Sequence, residues 1–430
     1  MLVLGGCSAE PLEHGVWYGD VGAIVRTHCA GCHRPNGIAP FSLHEYADAK
    51  LQMQKMVEQI DAGKMPPFQA NTTADCKPRY GWRDDPRLSD EERATLHAWV
   101  DAGGPEGHAV DLPDVPSTAL DGATVHVAPV QPFETSGERD QFVCYLFDPK
   151  ITHDQWLTGA QVFPGAPTFV HHANVDLVAP GDTGAALAQL GGIGVPSLNC
   201  DNPPGVPIQS WLPGNPALLL PDSVGIPVTS GTLVAIQVHY HPAGGIATDA
   251  TSVALRLTDD EPDWNYVMGV YGNSPGPPNL QPDPDDPPGG PPTFMIPANA
   301  ADHVETMIMT HRADQSPLRV LSVTPHMHFL GTHERASLEH ANGDRECMID
   351  SSWNFDWQRA YSYDAALDEL PVFDASSKVT VSCNWNNSFS NPNLTRLLDD
   401  YNRGAPYDVT LGFTTADEMC LADFGLISRN

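Results

Sequence analysis

The spacing of apolar residues changes along the chain. Up to about residue 108, apolar positions recur at helical spacing, as in residues 47–60, and Ser89 with Glu92 forms a capping box that begins a helix. Beyond residue 122 the apolar positions form short runs that proline, glycine and aspartate interrupt, namely residues 141–147, 168–178, 232–240, 253–257 and 318–324. The pattern therefore predicts a helical segment followed by β-structure.

The length of the chain predicts several domains, because 430 residues exceed what one ordinary core encloses. We expect a small all-α domain followed by two all-β sandwich domains. The proline-rich stretch 274–292 cannot pair in a sheet, so it is a loop at the junction of the two sandwiches or an excursion within the first. The predicted segments are an N-terminal stretch 1–9, a helical domain 10–108, a linker 109–122, a first β domain 123–273, the proline-rich loop 274–292 and a second β domain 293–430.

The charge balance excludes some partners. The chain carries 22 basic and 54 acidic residues, a formal net charge of −32. Such an acidic surface disfavours nucleic acid and electrostatic docking on anionic lipid. The sequence also contains no apolar run long enough to span a membrane.

The N-terminus MLVLGGCS resembles the end of a bacterial lipoprotein signal, which implies a lipid anchor on Cys7. Only six residues precede Cys7 and none is basic, whereas a full signal has a charged start and a longer apolar stretch. The alternative is an ordinary terminus with a free cysteine.

Cys29, Cys32 and His33 form a CxxCH motif within the helical segment. The two thiols of such a motif form thioethers to haem, and its histidine takes one axial position on the iron. A zinc half-site or a redox dithiol also uses two cysteines at this spacing. Neither explains the segment, because no second cysteine pair follows within it.

The sixth position on the iron calls for a thioether if the haem potential is high. Met65 offers one, in a Met-Pro-Pro loop that the prolines hold extended, and His28 and His44 are weaker rivals. The segment resembles the class I cytochrome c domains of bacterial multidomain proteins, which implies one covalently bound haem c.

Two histidines separated by one residue suit a single metal ion. Alternate side chains of a strand point the same way, so His326 and His328 leave the backbone together. Neutral imidazoles suit copper, zinc, iron or nickel, and the thioether of Met419 favours copper.

Further histidines upstream are enough for a second metal. His171 and His172 are adjacent, so they can share one ion with His239 only at a twisted or bulged strand end. His241 could compete as a ligand, although we rank it as a neighbour of the site. We assign no metal to the isolated histidines His303, His311, His333 and His340.

The order of these motifs resembles that of the copper type II, ascorbate-dependent monooxygenases, the family of peptidylglycine α-hydroxylating monooxygenase and dopamine β-hydroxylase. The resemblance spans roughly residues 140–426. It implies two jelly-roll-like β-sandwich domains with one copper each, facing a solvent-filled cleft. It also implies an electron-transfer copper on His171, His172 and His239, and a catalytic, oxygen-binding copper on His326, His328 and Met419.

Cysteine usage indicates an oxidising compartment. Six cysteines remain once Cys7, Cys29 and Cys32 are set aside, and the family resemblance implies that Cys383 pairs with Cys420. The remaining four, Cys76, Cys144, Cys200 and Cys347, have no predicted pairing. Disulfides and covalent haem assembly both predict a periplasmic or cell-envelope protein, as an outer-membrane lipoprotein would be.

These observations predict an oxidoreductase that hydroxylates a C–H bond of a small organic substrate with O2. The fused haem would pass on electrons from an external donor, either an ascorbate-like reductant or a redox protein. Thr324 and Asp423 stand where the peptide-amidating enzyme has an arginine and a tyrosine, so a glycine-extended peptide is not the expected substrate. The alternative is a periplasmic haem and copper electron-transfer or carrier protein without hydroxylase activity.

Overall fold

The computed structural model describes residues 14–430 except 36, 118, 137–139, 199, 201–202, 214, 242–244, 274–278 and 312–315. The chain divides into two compact units. One comprises Met1–Phe68 and Asp84–Thr118, and the other comprises Gln69–Arg83 and Ala119–Asn430. Cys7, the predicted lipidation site, lies outside the described residues.

The first unit is helical in its described residues. It contains the π-helical turn Trp17–Val21 and the helices α1 (Gly22–His28), α2 (Tyr46–Asp61) and α3 (Asp90–Asp101). Helix α2 coincides with the predicted helix 47–60, and α3 begins at the predicted capping box of Ser89 and Glu92. The helices enclose an apolar core that includes Trp17, Leu96 and Trp99.

Residues 69–83 belong to the second unit, although the sequence placed them in the helical segment 10–108. The backbone N–H of Asn71 donates to the backbone carbonyl oxygen of Asp350 at 2.7 Å. Trp82 stacks on Tyr363 with ring centroids 4.9 Å apart. These partners are distant in sequence. The spacing of apolar residues along the chain therefore could not reveal that residues 69–83 belong to the second unit.

The second unit is mostly β-structure. Two α-helices, α4 (Thr183–Leu190) and α5 (Pro392–Asp400), and the 3₁₀ turns Pro180–Asp182 and Leu367–Glu369 accompany the strands in its described residues. The strands are β1 (Val125–Val127), β2 (Phe133–Glu134), β3 (Gln141–Phe147), β4 (Gln155–Phe163), β5 (Val170–Val178), β6 (Ser197–Leu198), β7 (Val206–Trp211), β8 (Leu218–Leu219), β9 (Val224–Val228), β10 (Leu233–Tyr240), β11 (Thr248–Asp249), β12 (Ser252–Thr258), β13 (Trp264–Gly272), β14 (Met295–Ile296), β15 (His303–Thr310), β16 (Leu318–His326), β17 (Gly331–Glu339), β18 (Arg345–Ser352), β19 (Tyr361–Ser362), β20 (Val372–Phe373), β21 (Lys378–Trp385), β22 (Val409–Thr410) and β23 (Leu421–Arg429).

The largest sheet joins the two predicted β domains. Its order is β1-β12-β4-β9-β13-β23-β16-β19, with β20 beside β16 and β8 beside β4. Strand β13, from the first predicted domain, pairs with β23 of the second along its whole length. The predicted β architecture is therefore confirmed, and one sheet continues across the predicted boundary at 274–292.

Two smaller sheets have five and four strands, and the five-stranded one carries His171, His172 and His239. The first has the order β6-β3-β10-β5-β7, and the second has the order β15-β21-β17-β18. Every residue of the central strand β10 is buried, as expected of an apolar strand covered on both faces. A histidine on this strand is consequently shielded from solvent.

Disulfides link distant parts of the second unit. Cys383 pairs with Cys420, as the family resemblance implied, and the other two bridges are Cys144–Cys200 and Cys76–Cys347. Cys76 attaches the segment 69–83 to β18. Among the described residues, no helix has the length and apolar character needed to cross a membrane.

Candidate metal centre

The three upstream histidines meet at a bulge. His172 on β5 lies opposite His239 on β10, but the next pair is Val170 with Tyr240, so His171 is an extra residue in β5. A bulge turns adjacent side chains to one side of a strand. The predicted irregularity at this strand end is therefore present, and it allows His171 and His172 to converge.

The nitrogens of these three rings face one another. Nδ1 of His172 lies 3.2 Å from Nδ1 of His171 and 3.4 Å from Nδ1 of His239. One ligand atom from each residue lies within 4.8 Å of the others, a group that could hold a metal ion. Burial, and then the neighbouring His239, lower the pKa values of His171 and His172 well below the ordinary range, which favours the neutral rings that metals require.

Asp140 fixes the orientation of His239. Nε2 of His239 donates to Oδ1 of Asp140 at 2.7 Å, which leaves Nδ1 without a proton and directed at the other rings. Tyr401 and Thr415 donate hydrogen bonds to the other oxygen of Asp140. Although burial acts to raise it, the hydrogen bonds from the neighbouring histidines hold the pKa of Asp140 well below its usual range.

His241 contacts this group from outside. Its Nδ1 lies 3.3 Å from Oδ1 of Asp140, and its ring centroid lies 6.0 Å from that of His171. His241 therefore shares the carboxylate of Asp140, and it is not one of the three converging ligands.

His326 and His328 are held by their Nδ1 atoms. Nδ1 of His326 lies 3.0 Å from Oε1 of Gln358, and Nδ1 of His328 lies 3.1 Å from the carbonyl oxygen of Asp417. The amide nitrogen of Gln358 donates to the carbonyl oxygen of Phe355, so Oε1 of Gln358 is the acceptor for His326. Because both acceptors fix the proton on Nδ1, Nε2 of each ring is available to a metal.

Met419 lies at the same end of the β16–β23 pair as His326. Leu421, the first residue of β23, is the cross-strand partner of His326. The preceding residues are fixed by the Cys383–Cys420 disulfide and by the buried carboxylate of Glu418, which accepts the backbone N–H of His328 at 2.9 Å. Met419 itself is buried. The structure thus brings all three predicted residues of this set to one region.

The first set of candidate ligands consists of His171, His172 and His239, and the second consists of His326, His328 and Met419. The two sets lie next to each other. The ring centroids of His172 and His326 are 6.4 Å apart. His171 stacks on Phe355 at 4.4 Å, and Phe355 stacks in turn on Phe329 at 4.2 Å. The His172–His326 contact therefore brings the two sets close together. The solvent-filled cleft that the family resemblance implied stays a prediction.

A cavity of about 280 Å³ opens beside His171 of the first set. His171 and Gln358 form part of its wall, and Arg396 pairs with Asp356 at 2.8 Å at the same cavity. Its apolar lining consists of Pro167, Phe169, Val170, Leu212, Pro213 and Phe355. The volume and the lining suit a small organic molecule.

Thr324 and Asp423 face each other across the β16–β23 pair. The family resemblance singled out these two positions in the sequence analysis. Burial raises the pKa of Asp423 to about 7. Its Oδ1 has no hydrogen-bond partner within the described part of the chain.

The CxxCH motif follows helix α1. Nδ1 of His33 lies 3.1 Å from the carbonyl oxygen of Phe41, which leaves Nε2 as the free ligand atom. Cys29 and Cys32 take part in none of the three disulfides, and burial raises the pKa of the Cys29 thiol to about 12. Met65, the predicted sixth ligand, is 40% exposed in the loop after α2.

A further group was not anticipated. Asp283, His303 and Glu305 each offer a ligand atom, and these atoms lie within 4.8 Å of one another. The sequence analysis assigned no metal to His303. The alternation of His303 and Glu305, which would place both side chains on one face of a strand, was the one available signal. The contribution of Asp283 depends on how the proline-rich stretch folds back.

Comparisons with known proteins leave the family open. No family model matches the sequence, and no curated protein matches it. A chain from the atomic structure of Sulfolobus turreted icosahedral virus is similar at 11% identity, over 64% of this chain and 92% of that chain, with a TM-score of 0.23. A point mutant of Bacillus subtilis oxalate decarboxylase is similar at 8% identity, over 76% of this chain and 86% of that chain, with a TM-score of 0.15. TM-scores of this size carry no argument about function.

Proposed function

We propose that this protein is a copper-dependent monooxygenase that hydroxylates a C–H bond of a small organic substrate with O2. The observation that carries the proposal is the pair of adjoining histidine sets, one presenting Nδ1 atoms and the other presenting Nε2 atoms. The motif order, which resembles the copper type II monooxygenases, supports the same assignment.

The donor chemistry of each set fits copper. His171, His172 and His239 offer three neutral imidazoles, which are donors that suit copper. In the second set the thioether of Met419 joins two imidazoles, and this softer donor favours the reduced ion. The chemistry that bound copper supplies is electron transfer at the first set and activation of O2 at the second.

The protein residues position the ligands and exclude water. Asp140, Gln358 and the carbonyl oxygen of Asp417 each hold one ring nitrogen in the protonated form, so that the opposite nitrogen stays a ligand. Burial of the rings favours their neutral state. His239, His326 and His328 are therefore oriented so that they could bind metal without a change of tautomer.

The cavity beside His171 and Gln358 is our proposed substrate site. Its apolar walls would hold an organic substrate, and the Arg396–Asp356 pair would contact polar substituents. Hydroxylation converts R–H, O2, two electrons and two protons into R–OH and water. The electrons must come from outside the substrate.

The N-terminal helical unit is proposed to be a class I cytochrome c domain that supplies these electrons. Cys29 and Cys32 would bind haem c covalently, and His33 and Met65 would be its axial ligands. Because haem and copper sites share one chain, the donor has a high effective concentration near its acceptor. An ascorbate-like reductant or a redox protein would reduce the haem.

We further propose that the β sheets form two jelly-roll-like sandwiches and that the protein acts in the periplasm or cell envelope. The Cys144–Cys200, Cys76–Cys347 and Cys383–Cys420 bridges support an oxidising compartment. A lipid anchor on Cys7 would attach the protein to the outer membrane.

Copper content combined with oxygen consumption tests the proposal. The full chain is loaded with copper, reduced with ascorbate and incubated with a library of small organic compounds under labelled O2. We expect two copper ions per chain and one labelled oxygen atom in a hydroxylated product. His326→Ala should abolish product formation while the copper of the first set is retained, and the exposed His153→Ala is the matched control.

The second candidate is an electron-transfer or copper-carrier protein. The short distance between the two sets, with the ring centroids of His172 and His326 6.4 Å apart, favours it. Such a protein would bind copper and exchange electrons without oxygen-dependent turnover. Full copper loading with no product from any compound and no oxygen consumption would support the carrier over the monooxygenase.

A further inference from the structure

The group formed by Asp283, His303 and Glu305 shares no residue with the two histidine sets. His303 and Glu305 are alternate residues of β15, so their side chains leave the strand on the same face. Strand β15 lies at the edge of the sheet β15-β21-β17-β18. Asp283 belongs to the proline-rich stretch 274–292, whose described part runs beside this edge.

The spacing of the ligand atoms matches a small metal ion. Nε2 of His303 lies 3.1 Å from Oε1 of Glu305 and 3.9 Å from Oδ2 of Asp283. Two ligands of a tetrahedral zinc ion, at bond lengths of about 2.0–2.1 Å, are about 3.3 Å apart. The three side chains are therefore close to the separation at which one ion could bind all of them.

The carboxylate of Asp285 lies beside the other ring nitrogen of His303, with its Oδ2 3.3 Å from Nδ1. A negative charge at this distance favours a proton on Nδ1, which leaves Nε2 as the ligand atom.

Glu305 supplies an independent indication that this group binds a cation. The residue is only 1% exposed. Its Oε1 accepts the backbone N–H of Met295 at 3.1 Å, but its buried Oε2 has no hydrogen-bond partner within the described residues. A buried carboxylate oxygen without a partner is costly, and a bound cation removes that cost.

We propose that Asp283, His303 and Glu305 bind a zinc ion that fastens the proline-rich stretch to the edge strand β15. One nitrogen and two carboxylate ligands suit zinc better than calcium or magnesium, which take oxygen ligands. The set has no thioether, unlike the proposed catalytic copper set.

The ion would reinforce contacts that already join the two segments. The backbone N–H of Gln281 donates to the backbone carbonyl oxygen of Thr306 at 2.8 Å. The backbone N–H of Ile308 donates to the backbone carbonyl oxygen of Asn279 at 3.0 Å. These bonds cover an edge that would otherwise be open to pairing with another chain. Zinc at Asp283 would hold the covering segment in place.

Zinc titration of the metal-free full chain tests this site. The wild type is compared with Glu305→Gln, which keeps the shape of the side chain and its acceptor oxygen. We expect Glu305→Gln to bind one zinc ion fewer per chain than the wild type, whatever number the histidine sets also bind. His340→Asn is the matched control, because His340 has carboxylates at 3.6 and 3.8 Å but belongs to no converging group.

The rival account is that protonated His303 is itself the counter-ion of Glu305. It requires the wild type and Glu305→Gln to bind equal amounts of zinc, and that result would overturn the proposal. If Glu305→Gln fails to fold, as judged by circular dichroism, Asp283→Asn replaces it with the same expectations. Asp285→Asn should weaken zinc binding about 10- to 100-fold, and unchanged affinity would contradict the role given to Asp285.

Discussion

Replacing Asp140 by asparagine should weaken copper binding at the first histidine set. The carboxylate of Asp140 and the ring of His239 are almost fully buried, with exposed fractions of 6% and 2%, and they meet at 2.7 Å. Solvent does not screen a contact of this kind. Asp140→Asn keeps an acceptor for Nε2 of His239 and removes the negative charge.

The expected magnitude follows from that loss of charge. A hydrogen bond to a charged group contributes about 1.5–3 kcal/mol and one between neutral groups about 0.5–1.5 kcal/mol. The midpoints differ by about 1.2 kcal/mol, so we expect a loss of about eightfold in affinity. Tyr401→Phe is the matched control. It removes a donor to the same carboxylate but leaves the charge and the contact with His239, so affinity should change less than about threefold.

The assay is a competition between protein and a chelator of known copper affinity. It is carried out in a His326→Ala/His328→Ala background, so that only the first set binds copper. A wild-type affinity for Asp140→Asn would refute the reasoning, and so would an equal loss for Tyr401→Phe. Either result would mean that the carboxylate of Asp140 does not tune the imidazole of His239.

Three further predictions address stability and the second set. Burial raises the pKa of Asp176 to about 7. Between about pH 4 and pH 7 folding therefore takes up a proton, and the unfolding free energy of the wild type declines as pH rises through this range. Asp176→Asn should remove about 4 kcal/mol of that decline. Urea unfolding at pH 4 and pH 8 measures it, and an equal difference between the proteins at both values would contradict it. Changing Cys144 and Cys200 to serine opens a loop of 56 residues, which should lower the unfolding free energy in urea by about 4 kcal/mol, and no loss would refute this. Gln358→Leu removes the acceptor for His326 and should weaken copper binding at the second set about tenfold, measured by chelator competition in a His239→Ala background, whereas wild-type affinity would exclude an orienting role.

The elements with a regular apolar pattern were predictable from sequence. The runs 141–147 and 318–324 correspond to β3 and β16, since burial of one or both faces dictates their composition. The bulge at His171 was also predictable, because two adjacent histidines can share an ion only where a strand is irregular.

The residues that hold the ligands were not predictable. Asp140 acts on His239, and Gln358 on His326, through single hydrogen bonds between residues far apart in sequence. A lone aspartate or glutamine in a loop leaves no periodic trace in the sequence. The same reason explains why residues 69–83 and Asp283 were not linked to the sheets that they contact.

The most direct test of the central claim follows the haem spectrum of copper-loaded protein that is reduced without oxygen and then exposed to O2. If electrons pass from haem c through the first copper to oxygen at the second, the haem should be reoxidised in the wild type. His239→Ala and Met419→Ala should each prevent that reoxidation while the haem spectrum of the anaerobic protein stays unchanged. A haem that remains reduced in the fully copper-loaded wild type would contradict the account. Reoxidation of the haem in His239→Ala and Met419→Ala to the same extent as in the wild type would also contradict it.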